Sequence, residues 1–464
     1  MDKLKRIQAI VRAATAPEES VSYLDRFDET ISPNMRALRL SLTIADTLVA
    51  MGVSVADVVS MSLDITERYC KRKVQFDISS TLITASQDRG DDREPLTLIR
   101  HATPRTINTM TIQSMQELVR EIQSGSLDLN NAEMKLNAII EHPKKYPYWL
   151  TALGGGSVSA GVGILYGASP IIVSIMFGLG LGVTYFLRLL AHRRVPTFFA
   201  QVFSAIIITL IAASVTWLDS YSVFSWLSNV NATLIVIGGI VLLVAGLAIV
   251  GAVQDAIDEF YVTANARLLK VVMMTIGIVA GVLIGIYIAA QLHIFIQVDP
   301  GSTILRGQWQ LLGALVISAG YALSVQSSLL GVIAGAGMGA IGWIAYVAVA
   351  GTGSLSAIIA SGFAAMIVGG SATLVSRWWQ TPSTALMTAG IVPLVPGLTL
   401  YNGLFALVGN SSNTISFANG VQTLFSALLI ALAIASGVSF GHLIARPVRR
   451  TLVKARNALP RREL

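Results

Sequence analysis

From Tyr148 to Ala445 the chain is a near-continuous series of apolar runs of about 20 residues, the length a helix needs to cross a roughly 30 Å hydrocarbon layer. Ten such runs can be drawn, at 148–166, 169–187, 197–217, 232–251, 271–290, 309–327, 329–350, 354–375, 384–408 and 420–445. In hydrocarbon each backbone N–H and C=O must find its partner inside the protein, so these runs are expected to be helices. A soluble fold is excluded for this part of the chain.

Charge divides the chain in two. Residues 1–145 carry 19 Lys/Arg and 20 Asp/Glu, whereas the remainder carries 14 and 6. The net +7 therefore comes from the apolar half, where topology explains it better than nucleic-acid binding does. Lys144 and Lys145 precede the first run, and Arg188, Arg193 and Arg194 follow the second. Arg267 and Lys270 follow the fourth, Arg377 follows the eighth, and seven basic residues fill the tail from Arg446. The opposite set of connections holds only Arg306. Positive charge is retained on the cytoplasmic side, so both termini are expected there. The start of the chain has no apolar core long enough for a signal peptide, which leaves the first 147 residues in the cytoplasm.

Two stretches nearly repeat. Gly239–Leu247 reads GIVLLVAGL and Gly390–Leu398 reads GIVPLVPGL, seven of nine positions identical at an offset of 151. Ser159-Ala-Gly161 followed by Gly178-Leu-Gly180 matches Ser318-Ala-Gly320 followed by Gly337-Met-Gly339 at an offset of 159. Units of five spans copied in tandem come back upside down, and inverted repeats mark secondary transporters. The expected fold class is a membrane all-α protein of ten transmembrane helices, arranged as two inverted five-helix repeats behind a small cytoplasmic α+β domain. The expected limits are a mobile segment 1–33, the α+β domain 34–147, the first repeat 148–290, a loop 291–308, the second repeat 309–446 and a basic cytoplasmic tail 447–464.

Within the soluble part, Leu38, Leu42, Ala45 and Val49 are spaced for a helix over 35–51 with one wet face, ended by Gly52. Ser54 is placed to cap a second helix reaching Tyr69. KVQFDISSTLITAS and PLTLIRH alternate like strands, and helices are expected at 107–123 and 129–141, with Asp128 as a cap. Asp46, Asp57, Asp64 and His101 fall on separate elements, so no catalytic set is legible. Cys70 is the single cysteine and the five histidines are dispersed, so neither a disulfide, a metal site nor a cofactor is expected.

The residues suited to chemistry lie in the repeated element. Pro393 and Pro396 donate no backbone hydrogen bond, and Gly397 adds freedom, so span 9 should kink or break. A broken helix in a membrane lines a cavity or packs in protein, and its half-helix ends suit an ion or a zwitterion. Thr399 and Asn402 stand beside the break. The matching span 4 keeps Gly246 but has Ala245 where span 9 has Pro396. It continues into Asp255, Asp258 and Glu259, three of the five acids between residues 146 and 446. Ionisable groups near membrane depth are costly and mark function, which makes Asp255 the candidate proton-linked group. For Asp258 and Glu259 the competing expectation is a solvated helix end pairing Arg267. Gln201, Gln326, Thr384 and His442 are weaker leads, since interhelical hydrogen bonding is the commoner fate of such groups.

LRLSLTIADTLVAMGVSVADVV, VQFDISSTLITAS and LVPGLTLYNGLF, together with the ten-run layout, resemble the threonine/serine exporter family of bacteria. The resemblance spans nearly the whole chain from residue 35, and its most specific parts are IADTLVAMG and LVPGLTLYNG. In that family a cytoplasmic domain and a five-span unit precede a second five-span unit, on one chain or two, and this chain resembles the fused form. The resemblance implies export of threonine and serine across the bacterial cytoplasmic membrane, driven by the proton motive force. The expected partners are these amino acids, protons and the lipid bilayer, with self-association left open and no nucleic acid. The expected substrate residues are Gly246, Pro396, Gly397, Thr399 and Asn402; Asp255, Asp258 and Glu259 are expected at the proton. The alternatives are export of another small metabolite such as a dicarboxylate, and a membrane-anchored enzyme acting through the N-terminal domain.

Overall fold

A computed structural model describes residues 32–70, 72–89, 94–103, 105–220, 232–243, 246–294, 308–351, 355–408 and 414–458. Residues 1–31, 295–307 and 459–464 lie outside this set, and with them most of the expected lead-in and loop, the end of the tail, Asp299 and Arg306. The buried side chains form two separate cores. One runs from Ala37 to Leu136, the other from Val158 to Val438.

The N-terminal unit is built on α1 (Pro33–Ala50). Pro33 occupies its first position, and Ser32 accepts the Met35 N–H at 3.4 Å. The expected wet face of α1 is absent: every residue from Leu40 to Val49 is buried. The polar residues among them survive burial by bonding to nearby carbonyls. Thr43 and Thr47 donate to Arg39 O and Thr43 O, and Ser41 donates to Ser62 O. Gly52, at φ +87°, turns the chain into α2 (Val55–Tyr69), whose cap Ser54 accepts the Asp57 N–H. A three-stranded antiparallel meander follows: β1 (Val74–Ser79), β2 (Leu82–Gln87) and β3 (Leu96–His101). Then come α3 (Thr109–Gln123), capped by Asn108, and α4 (Leu129–Glu141). Asp128 sits at the cap position of α4 but makes no side-chain cap bond there. Arg36 ties α1 to α4 through Glu133, its Nε donating to Oε1 at 3.1 Å. Cys70 is buried, and burial pushes its thiol up to about 11, so it is not a nucleophile at neutral pH.

The apolar part consists of α5 (Tyr148–Leu165), α6 (Pro170–His192), α7 (Thr197–Ser220), α8 (Ala232–Leu243), α9 (Gly246–Ile257) and α10 (Tyr261–Gln291), then α11 (Gln308–Ser324), α12 (Leu329–Ala350) and α13 (Ala357–Trp378). The chain continues through α14 (Ser383–Ile391), a 3-10 turn (Val392–Leu394), α15 (Gly397–Val408) and α16 (Thr414–Ala458). Among the described residues six helices are long and apolar enough to cross a membrane, seven if the bent pair around Pro396 is one span. Of the other expected runs, 232–251 is described as α8 and α9 and 309–327 as the 17-residue α11, each bounded by residues outside the described set, and α5 has 18 residues, five of them glycine.

Helix pairs recur in the two halves. α5 packs on α6 as α11 packs on α12, α7 on α10 as α13 on α16, α6 on α8 as α12 on α14, and α9 on α10 as α15 on α16. The halves meet mainly where α5 crosses α11. A Cβ placed on Gly154 would sit 2.6 Å from Gly320 O, and one on Gly161 3.1 Å from Gly313 O. Backbone meets backbone at this crossing, so no side chain can yield. Gly320→Val therefore carries a penalty at or above the upper end of the usual ~1–3 kcal/mol for overpacking. The expected result is loss of the monodisperse peak in fluorescence-detected gel filtration; a wild-type profile would contradict the close crossing.

Candidate functional site

The first element of the site is the interruption between α14 and α15. A residue before proline is pushed out of the helical region, and Val395 lies extended at φ −61°, ψ 128°. Pro393 cannot donate to Ala389 O, nor Pro396 to Val392 O, which takes the Val395 N–H at 3.2 Å instead. The helix restarts at Gly397, Pro396 O accepting the Leu400 N–H at 2.9 Å, and the two segments differ in direction by 49°.

The equivalent element of the first half is described as α8, up to Leu243, and α9, from Gly246. The break after Val395 faces the first half: a Cβ on Gly397 would meet Val241 Cγ2 at 3.0 Å and Ile237 Cγ2 at 3.5 Å. α15 packs on α8, and α9 on α14. Pro396, Thr399 and Asn402 are half-buried, and Gly397 is buried. The Asn402 Oδ1 is buried and has no hydrogen-bond partner among the described residues. Buried polar atoms are normally paired, so this oxygen stands out. Gly246 is described only as the first residue of α9.

Asp255 belongs to a second locus. It is fully buried, but it does not face the break. Its Oδ1 accepts the Val55 N–H of α2 at 2.9 Å, and its Oδ2 forms an ion pair with Arg267 at 2.8 Å. Arg267 also donates to Val53 O at 2.9 Å. Arg267, expected to meet Asp258 or Glu259, has its 2.8 Å ion pair with Asp255. Its helix places it one turn before the α9–α10 corner, where the arginine folds back past Gly251, which has no side chain to obstruct it. Asp258 is half-buried, and Glu259 is exposed at φ 69° on the corner itself. A charge this deeply buried persists only with partners, and Asp255 has a cation and a free helix-start N–H.

This locus is one of two grips between the N-terminal unit and the apolar helices. The β1–β2 tip adds to the first: Ser80 N–H donates to Thr263 Oγ1 at 2.8 Å, and Thr263 donates to Ile78 O. The second joins the start of α3 to the turn after α11, where Thr109 and Met110 N–H donate to Val325 O and Gln326 O at 3.0 and 3.2 Å. The sequence reading missed both grips. Their partners lie some 180–220 positions apart, and the only local hint is a capped helix start with unsatisfied N–H groups. Among the weaker leads, His442 Nδ1 and Thr373 Oγ1 hydrogen-bond at 2.7 Å between α16 and α13, an interhelical tie. Thr384 O accepts from Thr388 within α14, and Gln201 Oε1 is buried without a partner among the described residues.

Two family models match the chain: one described as "Putative threonine/serine exporter" over residues 39–289, the other as "Threonine/Serine exporter, ThrE" over residues 310–444. A Mycobacterium tuberculosis protein named "Probable threonine/serine exporter" is 32% identical over 424 residues, 89% of this chain and 77% of the relative. A Corynebacterium glutamicum protein named "Threonine/serine exporter" is 29% identical over 458 residues, 96% of this chain and 89% of the relative. No solved structure matches significantly. The family is one of transporters rather than enzymes, and the apolar helices agree with a bacterial multi-pass membrane protein. With both models matched in sequence order on one polypeptide, the chain belongs to the threonine/serine exporter family in its fused, two-unit form.

Proposed function

We propose that this protein exports threonine and serine across the bacterial cytoplasmic membrane by secondary active transport, as a proton antiporter. The observation that carries the reading is the break at Pro396 within a repeated motif: the helix stops, changes direction by 49° and restarts at Gly397 against Val241 and Ile237 of the first half. Half-helix ends and an unpartnered Asn402 carbonyl suit a small zwitterion bearing a hydroxyl. Gly246, Pro396, Gly397, Thr399 and Asn402 surround the substrate in this reading.

Two inverted five-helix repeats making ten crossings are part of the proposal. The matched packing pairs support it, and so does the α5–α11 crossing. A shift of 159 residues carries Gly154 to Gly313 and Gly161 to Gly320. The contact of Gly154 with Gly320 thereby becomes that of Gly313 with Gly161, as a two-fold axis demands. At 1.5 Å per residue α5 and α11 extend about 25–27 Å, close to the hydrocarbon thickness. The charge bias supports cytoplasmic termini and a cytoplasmic N-terminal unit.

Asp255 is the proton-linked group in this scheme, because its protonation would release Arg267 and loosen the hold of α2 on the end of α9. Asp57 and Asp258 are the neighbouring negative charges. The exposed Glu259 is left a surface role, and Asp258 a supporting one. A dicarboxylate is disfavoured, since α8, α9, α14 and α15 contain no Lys or Arg.

Counterflow of labelled threonine and serine in proteoliposomes tests the reading. Exchange is expected for both, with an imposed pH gradient driving net movement uphill. Absence of exchange would overturn the transport assignment; exchange indifferent to the gradient would overturn antiport alone.

A further inference from the structure

His442 is a buried titratable residue with no part in the transport scheme so far. The other four histidines are exposed, whereas His442 is 5% exposed. It lies in the stretch 418–445 of α16, which is long and apolar enough to cross a membrane, and it is the only titratable side chain there. Ionisable groups at such depth are costly and mark proton or substrate paths.

Its hydrogen bond fixes where a proton can go. Thr373 on α13 has one hydroxyl hydrogen, which it donates to Gly369 O at 2.7 Å. The hydroxyl therefore accepts from His442 Nδ1, 2.7 Å away, and the neutral ring carries its hydrogen on Nδ1. Nε2 is then the atom that takes up or gives back a proton.

In the first half the same joint is built without a histidine. A Cβ on Gly437 or Gly441 would meet Gly362 O or Met366 O, as one on Gly277 or Gly281 would meet Phe198 O or Val202 O. The α7–α10 crossing thus maps onto α13–α16 by a shift of 164 residues for the first helix and 160 for the second. The same shifts carry Thr209 onto Thr373 and Val282 onto His442. Thr209 makes the equivalent bond, to Ala205 O at 2.9 Å, and Val282 is buried. An apolar side chain packs the joint in one half; the other half has the one side chain whose ordinary titration falls between about pH 5 and 8.

At the α13–α16 joint glycines bring backbone onto backbone, which leaves no room to hydrate an added charge. Protonation there favours an arrangement in which the joint has moved. α16 also packs on α15, which follows the break at Pro396, and on α9. The titratable side chains on these elements are Arg377 of α13, Tyr401 of α15 and Asp255 of α9, with Asp258 just beyond α9 and Arg446 next along α16.

We infer that His442 is a second proton-carrying residue of the transport cycle, a role that rests on the antiport reading. Its Nε2 takes a proton from water on the outer side and returns it to water on the inner side, with no other bond made or broken.

Initial rates of labelled threonine movement in proteoliposomes test the role. His442→Asn keeps an N–H for Thr373 but cannot titrate, and His442→Val installs the residue of the first half. Both are expected to keep exchange within about twofold of wild type and to lose about tenfold or more of the movement driven by an imposed pH gradient. The pH profile of exchange is expected to flatten in both. Thr373→Val leaves the imidazole in place, and gradient-driven movement is expected to persist with a displaced pH profile. Driven movement at the wild-type rate in His442→Asn overturns the inference and leaves antiport standing. Equal loss of exchange and driven movement in all three variants marks a packing tie and overturns it too. Wild-type exchange indifferent to the gradient overturns antiport and the inference with it. Nitrogen NMR of the unaltered ring, in the full chain with the four exposed histidines replaced by glutamine, reads the step without touching His442. Conversion of the Nδ1–H ring to imidazolium on acidification is expected; a ring still neutral at about pH 5 overturns the inference.

Discussion

Asp255→Asn is expected to abolish uphill threonine export while the protein still inserts in the membrane. Asparagine keeps the size and can still accept the Val55 N–H, but it leaves the Arg267 charge without its counter-ion in a largely buried position. Removing one member of a buried pair costs about 3–5 kcal/mol. At 1.4 kcal/mol per factor of ten, the docked fraction of the N-terminal unit falls by on the order of a hundredfold or more. Limited proteolysis between α4 and α5 should accelerate accordingly. The decisive comparison is Asp255→Leu with Arg267→Met, which replaces the pair by apolar groups and should restore docking. If Asp255 handles the proton, the double variant regains protease resistance and exchange but not gradient-driven export. If it recovers uphill export as well, the pair is a structural strut and the coupling carboxylate lies elsewhere.

Pro396→Ala with Gly397→Leu is expected to cut transport of threonine and serine by on the order of a hundredfold, with folding retained. Alanine restores a helical donor to Val392 O, which now takes only the Val395 N–H, and frees Val395 to become helical, so the 49° bend is no longer enforced. Leucine then adds a side chain where even a Cβ lies 3.0 Å from Val241. The two changes straighten the helix and fill the space between halves. Initial rates of counterflow measure the outcome, and unaltered kinetics would reduce the break to a packing detail. The single change Pro396→Ala separates the contributions: it removes the enforced bend while leaving the space beside Val241 open.

The residues that were legible in the sequence act locally. Ser54 and Gly52 mark their helix ends because a cap and a left-handed turn need only neighbours. The P-x-x-P-G run announces its own break, because proline removes the donor wherever it stands. What was not legible depends on packing between distant segments. The burial of α1 on all sides follows from elements arranged around it, not from its own periodicity. Asp255 reads as a carboxylate near a membrane span, and its partner Val55 lies 200 positions away, as Val53 lies 214 from Arg267. Gln326 read as one of several polar residues in apolar context, and its carbonyl's part in taking the Met110 N–H depends on a segment 216 positions away.

The two grips also set an order of events during synthesis. The N-terminal unit is complete at Glu141, but Asp255 and Arg267 follow more than a hundred residues later, and the Val325–Gln326 turn later still. At ~5–20 residues per second, the ribosome needs roughly 10–40 s to reach Gln326 after finishing α4. During that interval the Thr109 and Met110 N–H groups at the start of α3 lack their acceptors. The N-terminal unit is therefore made before its seat, with the first half offering one anchor before the second closes the joint. A block in second-half insertion should leave a half-docked species, and the exposed edge of α3 is where quality control would find it.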